Sequence, residues 1–196
     1  NNYNNFVAWV KKYNPDVCIW CEGESIFSTT GDRLSSSNRP LPSAWASVAS
    51  RYGHNYVAKG ADKDNYPQII TSKYNITTIE QIYQTSVADS PVAHGAGHFS
   101  VNFGGTEVSF VSFHAYAQAY HPRCEGKSDE VKAASSALFE GDYHRQHEIK
   151  HICDNVINAS ANSSVTNWLL MGDFNAVSRV DAEHYNNDPN STVCLL

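Results

Sequence analysis

Apolar positions at the start of the chain recur at helical spacing. Tyr3, Phe6, Val7 and Val10 follow the i, i+3, i+4, i+7 rule and predict an amphipathic helix. Asn14-Pro15 ends it, because the residue before a proline is steered out of helical geometry. Residues 17–21 read as a buried strand, and the Ser-, Thr-, Gly- and Pro-rich residues 25–42 as a loop beside its end. Trp45, Val48, Ala49 and Tyr52 predict a second helix, capped by Ser43 and closed by Gly53. Strand-like runs follow at residues 55–58, 68–72, 77–83, 98–103 and 107–113, with Gly104-Gly105 forming a hairpin turn between the last two. Residues 116–126 are expected to be irregular. Ile149, Ile152, Cys153, Val156 and Ile157 give the cleanest helical stripe, and the strand Trp168-Leu169-Leu170-Met171 follows it. Helix–strand alternation at the ends with hairpins between predicts an α/β chain of the α+β type, in one domain over residues 1–196.

Composition narrows the picture. A 41% hydrophobic and 17% charged chain of 196 residues can bury a core and is not disordered. No apolar run reaches membrane-spanning length, and no signal-peptide apolar region occurs within these residues. The compartment is left open. With 14 Lys and Arg against a net charge of −6, sequence-independent grip on duplex DNA is disfavoured, although a local basic patch could coexist with that total. Five cysteines cannot all pair. Cys18 and Cys21 lie on opposite faces of one short strand and read as packed thiols, while Cys124, Cys153 and Cys194 leave room for one disulfide.

The chemistry concentrates in Gly172-Asp173-Phe174-Asn175, at the end of the last apolar strand. If extended geometry continues through Phe174, Asp173 and Asn175 face one side. Gly172 lets the backbone turn or approach a ligand closely. A carboxylate beside an amide suits phosphate chemistry, but a strand ending in turn-forming Asp and Asn would look the same. Spacing alone does not choose between them.

Other segments do. Gly-Asp-Phe-Asn resembles the motif of the endonuclease/exonuclease/phosphatase family, and its remaining landmarks occur in order. Pro15-Asp16-Val17-Cys18-Ile19-Trp20-Cys21-Glu22 resembles the strand that ends in a metal-binding Glu. Residues 66–74 resemble the family's "ILSR-P" strand, with Asn75 near the usual Pro. Residues 108–114 resemble the strand that ends in His, and Arg145 and Glu148 the Arg-x-x-Gln/Glu helix. The match runs through nearly the whole chain. It implies a DNase-like four-layer sandwich, two mixed β-sheets flanked by helices.

The resemblance also implies roles. Glu22 is expected to hold Mg²⁺ or Mn²⁺, with Glu24 a weaker candidate. Asp173 is expected to orient or activate the attacking water, and Asn175 to grip the phosphate. His114 is expected to contact the phosphate or protonate the leaving oxygen. Arg145 is a candidate substrate contact, against the plainer reading of a local helical ion pair with Glu148. His94 stands near a family Arg-Gly and is a further candidate substrate contact.

The departures matter too. Family members carry an Asn on an earlier strand, a late Asp and a terminal Asp-His pair, none of which has a counterpart here. Asp181 and His184 have the wrong spacing. The chain is therefore expected to lack the first and last strands of the domain and, made strictly as residues 1–196, to be inactive or nearly so and poorly soluble, whereas a version extended at both ends should be stable and active. Full activity from residues 1–196 alone would force a search for the base among His94, His114 and His184. The implied activity is metal-dependent hydrolysis of a phosphate ester by activated water, as a phosphodiesterase or phosphatase, on a small or lipid-linked substrate rather than duplex DNA. The alternatives are a catalytically dead binding protein on the same fold and a nuclease acting on DNA or RNA.

Overall fold

The computed structural model of the chain describes residues 2–23, 41–61, 67–82, 92, 94–116 and 140–175. The opening helix, α1 (Asn2–Tyr13), stops where Asn14 takes φ 48° and its N–H closes on Val10 O at 2.9 Å. Asn tolerates this left-handed conformation better than most residues. Strand β1 (Val17–Trp20) follows. Helix α2 (Leu41–Ala49) runs into a 3₁₀ turn, Ser50–Tyr52, ended by Gly53 at φ 93°. Its start corrects the expected Ser43 cap. The helix begins two residues earlier and takes Pro42 into its first turn, where a missing N–H is harmless.

The remaining elements are β2 (Tyr56–Lys59), β3 (Ile69–Ser72), β4 (Ile76–Ile82), β5 (Ala96–Phe103), β6 (Thr106–His114), α3 (Glu140–Ile152) and β7 (Trp168–Asp173). The C-terminal end of α3 widens into a π turn, Cys153–Ile157. The β5–β6 hairpin closes through Gly104 (φ 65°) and Gly105 (φ 111°), the doubly positive geometry that matches strand twist. Strands β1-β3-β2 form an antiparallel sheet. Strands β4-β5-β6-β7 form a mixed one, in which β6 and β7 run parallel.

Alternation along the strands sorts side chains into three apolar layers. Val7, Val10, Trp45 and Tyr52 of the helical segments cover one face of the first sheet through Ile69, Cys18 and Trp20. Its other face, through Ile70, Val17 and Ile19, meets Phe99, Val101 and Phe110 of the second sheet. Ile152 and Val156 close the far side over Val111, Phe113, Trp168 and Leu170. The result is helix, sheet, sheet, helix. Among the described residues no helix is long and apolar enough to cross a membrane.

One polar group sits deep in the first layer. His54 Nε2 lies 2.8 Å from Pro15 O, an acceptor only, so Nε2 carries the proton and Nδ1 accepts from the Thr71 hydroxyl at 2.9 Å. Thr71 Oγ1 in turn accepts from Tyr52 Oη and Trp20 Nε1. Burial pushes the Tyr52 hydroxyl up to about 12 and holds His54 below its ordinary value.

Candidate active site

Parallel pairing of β6 with β7 sets His114 directly beside Asp173. Partners across a ladder share a face, so the imidazole and the carboxylate emerge together at the C-terminal rim of the second sheet. His114 Nε2 lies 3.9 Å from Asp173 Oδ2, with the histidine side chain 4% exposed and the aspartate 51%. The His94 ring lies against that of His114, centroids 4.6 Å apart and planes inclined by 32°. Its backbone is held by the residue just before β3, where Gln68 Nε2 donates to His94 O at 3.1 Å. Gly172 has φ 150°, and a Cβ there would overlap Phe113 O. The close approach that only glycine permits is thus to the neighbouring strand rather than to a ligand.

Asn175 departs from the expected extension. Strand β7 ends at Asp173, and Asn175 turns back with φ 45°. Its N–H bonds Asp173 Oδ1 at 2.8 Å, the local bond that aspartate offers a residue two positions on, and this outcompetes continued extension. Its amide Nδ2 donates to Ala115 O at 2.9 Å. Arg145 and Glu148 of α3 meet the same stretch of backbone. Arg145 Nη1 donates to Tyr116 O, and Glu148 Oε2 accepts from Tyr116 N, each at 2.9 Å. Glu148 is buried. The spacing of Arg145 and Glu148 singled them out in the sequence, but nothing there names a backbone segment about thirty residues away as their partner.

Glu22 lies two residues beyond β1, exposed, with φ 53°. Unlike Asn, which tolerates the left-handed region, Glu adopts it only at some cost in backbone strain. Cys21 ties the two sheets together here, its thiol 3.6 Å from Phe113 O. Burial raises the Cys21 pKa; contact with the Asp173 backbone opposes this, and the charges of Asp173 and Glu22 add to the rise. Cys18, Cys21 and Cys153 are free thiols. Among the described residues no three His, Cys, Asp or Glu side chains form a preassembled metal cage. Glu24, Asp181 and His184 lie outside the described residues, as does the expected irregular segment after Tyr116.

No family model matches the sequence, and no curated protein matches it. Solved structures do match. Truncated TDP2 of Caenorhabditis elegans superposes with a TM-score of 0.54 at 15% identity, over 96% of this chain and 64% of that one. A humanized D. rerio TDP2 carrying 14 mutations gives 0.52 at 13% identity, over 93% and 62%. A hairpin-deletion mutant of beta toxin from Staphylococcus aureus gives 0.52 at 15% identity, over 91% and 61%. The chain spans less than two thirds of each. At these identities the likeness establishes the fold alone: two sheets flanked by helices in the DNase-like arrangement that the motifs implied.

Proposed function

We propose that the chain carries the active face of a divalent-metal-dependent phosphoric ester hydrolase of the kind its motifs resemble. One observation supports the reading: His114 and Asp173 come from distant parts of the sequence and end paired strands side by side, and Cys21, the residue before Glu22, reaches the same strand end with its thiol 3.6 Å from Phe113 O. A structural role for each alone gives no reason for them to meet.

Within that reading the local bonds assign the work. Asp173 has Oδ1 fixed by the Asn175 N–H, which orients the half-exposed carboxylate to accept a hydrogen bond from an attacking water. His114, beside Oδ2, is placed to donate to a phosphoryl or leaving oxygen. Asn175 spends one amide N–H on Ala115 O and keeps a second for phosphate. His94, its ring tilted against that of His114, is a further candidate substrate contact.

Glu22 and Asp173 are hard oxygen donors, and Mg²⁺ usually takes only one or two carboxylates, completing its shell with water and substrate phosphate. The residues present fit Mg²⁺ or Mn²⁺ in that mode, with Glu22 as the principal ligand. The ion would supply positive charge against the phosphoryl and leaving oxygens. The net charge of −6 favours a small or lipid-linked phosphoester over duplex DNA.

The test is steady-state turnover of soluble phosphomonoesters, soluble phosphodiesters, lipid-linked phosphodiesters and duplex DNA, with Mg²⁺ or Mn²⁺ and with chelator. Metal-dependent turnover of one of the first three, lost in Asp173→Asn, supports the reading. Metal binding without turnover of any of them would instead favour a non-catalytic binding protein on the same fold.

A further inference from the structure

The dipeptide after His114 has every backbone polar group accounted for, and none of its partners belongs to its own strand. Ala115 N donates to Asp173 O at 2.8 Å, and Ala115 O accepts from Asn175 Nδ2. Tyr116 N donates to Glu148, and Tyr116 O accepts from Arg145. Strand β6 ends at His114, so without these four bonds its last turn of chain would have no ladder to hold it. Two of the bonds come from the Asp173–Asn175 end of β7 and two from α3.

We infer that Glu148, seconded by Arg145, is a positioning residue: it clamps the Tyr116 peptide and thereby holds His114 in register with Asp173. This rests on the catalytic reading above for its effect on rate, but not for its effect on geometry. A carboxylate buried to 3% exposure is costly unless hydrogen-bonded, so Glu148 is not a solvated helix charge. Helix α3 is itself anchored by Ile152 and Val156, both buried against Val111 and Phe113 of β6. The clamp therefore refers the strand end to a packed element rather than to a loop. Arg145 on this account acts through the Tyr116 backbone.

The experiment compares Glu148→Leu, which removes the acceptor, with Glu148→Gln, which keeps an oxygen for Tyr116 N. Amide hydrogen exchange at Tyr116, the ring signals of His114 and their through-space contact with His94 are read by NMR, alongside kcat and KM. In Glu148→Leu the Tyr116 amide should exchange at least about tenfold faster and the His94–His114 contact should weaken. There kcat should fall about ten- to a hundredfold with KM nearly unchanged, as misplacement of a catalytic group predicts. Glu148→Gln should restore both geometry and kcat to within a few-fold. If Glu148→Leu does not fold, Arg145→Met reads the same clamp through Tyr116 O and should loosen the His94–His114 contact. Unchanged Tyr116 exchange and His114 signals in the folded variants, or a Gln variant as impaired as Leu, would overturn the inference. A wild-type protein with no turnover would count against the proposed function, while the exchange and ring signals would still decide the clamp.

Discussion

Gly172→Ala should be far more damaging than a glycine substitution at positive φ ordinarily is. Gly53 provides the comparison. It also has positive φ (93°), but a Cβ there meets nothing within 4 Å. Alanine at Gly53 should therefore cost only the left-handed strain, about 1 kcal/mol after the lower entropy of the unfolded alanine chain is allowed for. At Gly172 the φ of 150° adds strain of about 1–3 kcal/mol, and the new Cβ would also occupy the space of Phe113 O. That atom is backbone in a parallel ladder and cannot rotate away, so β6 and β7 must part. Parting loses the neighbouring ladder bonds and endangers Ala115 N to Asp173 O, each worth about 1 kcal/mol net. The total is about 3–5 kcal/mol. Urea unfolding of the two variants against wild type measures it, and the widened ladder should also break the His114–Asp173 approach in any folded remainder. Gly172→Ala no more destabilising than Gly53→Ala would refute the close-approach argument.

Burial holds His54 and His98 below the ordinary histidine value of 6.5, so the unfolded chain takes up their protons at a pH where the folded chain does not. Stability is thus complete above 6.5 and declines as pH falls towards the folded values; urea midpoints should drop between about pH 7.5 and about pH 5.5, less steeply in His54→Gln, and an unaltered slope in that variant would remove His54 from the effect. If Glu22 is the metal ligand proposed above, Glu22→Gln should weaken Mn²⁺ binding at least about tenfold by calorimetry, since a charged oxygen donor is neutralised, and equal affinity would take Glu22 out of the metal site. Leu169 and Met171 are exposed, at 47% and 37%, on β7, an edge strand among the described residues. Replacing both with Lys should reduce light scattering on concentration, and unchanged aggregation would show that this edge is not its cause.

Much of this was readable before any coordinates. Helix α1 and the Ile152–Val156 stripe bury one face only, so their apolar spacing is a direct record of the packing. Glu22, His114 and Asp173 each follow an apolar strand, where a polar residue stands out. Strand β5 was less legible, because residues 96–101 are buried on both faces and alternation carries no signal there. The fate of Asn175 turned on a local bond to Asp173 that competes with extension, and extension was the wrong expectation. The partner of Glu148 was invisible for a different reason: Tyr116 contributes only backbone, which every residue type shares.

The account stands most directly on whether His114 and Asp173 work as one unit. Groups that act together in a transition state are strongly non-additive, so removing the second should add little once the first is gone. The decisive measurement is kcat/KM on the best phosphoester substrate for His114→Gln, Asp173→Asn and the double variant, with folding verified for each. The account predicts that each single variant loses at least about a hundredfold and that the double variant is scarcely worse than the poorer single one. Losses that multiply, or single variants with near wild-type rates, would contradict it.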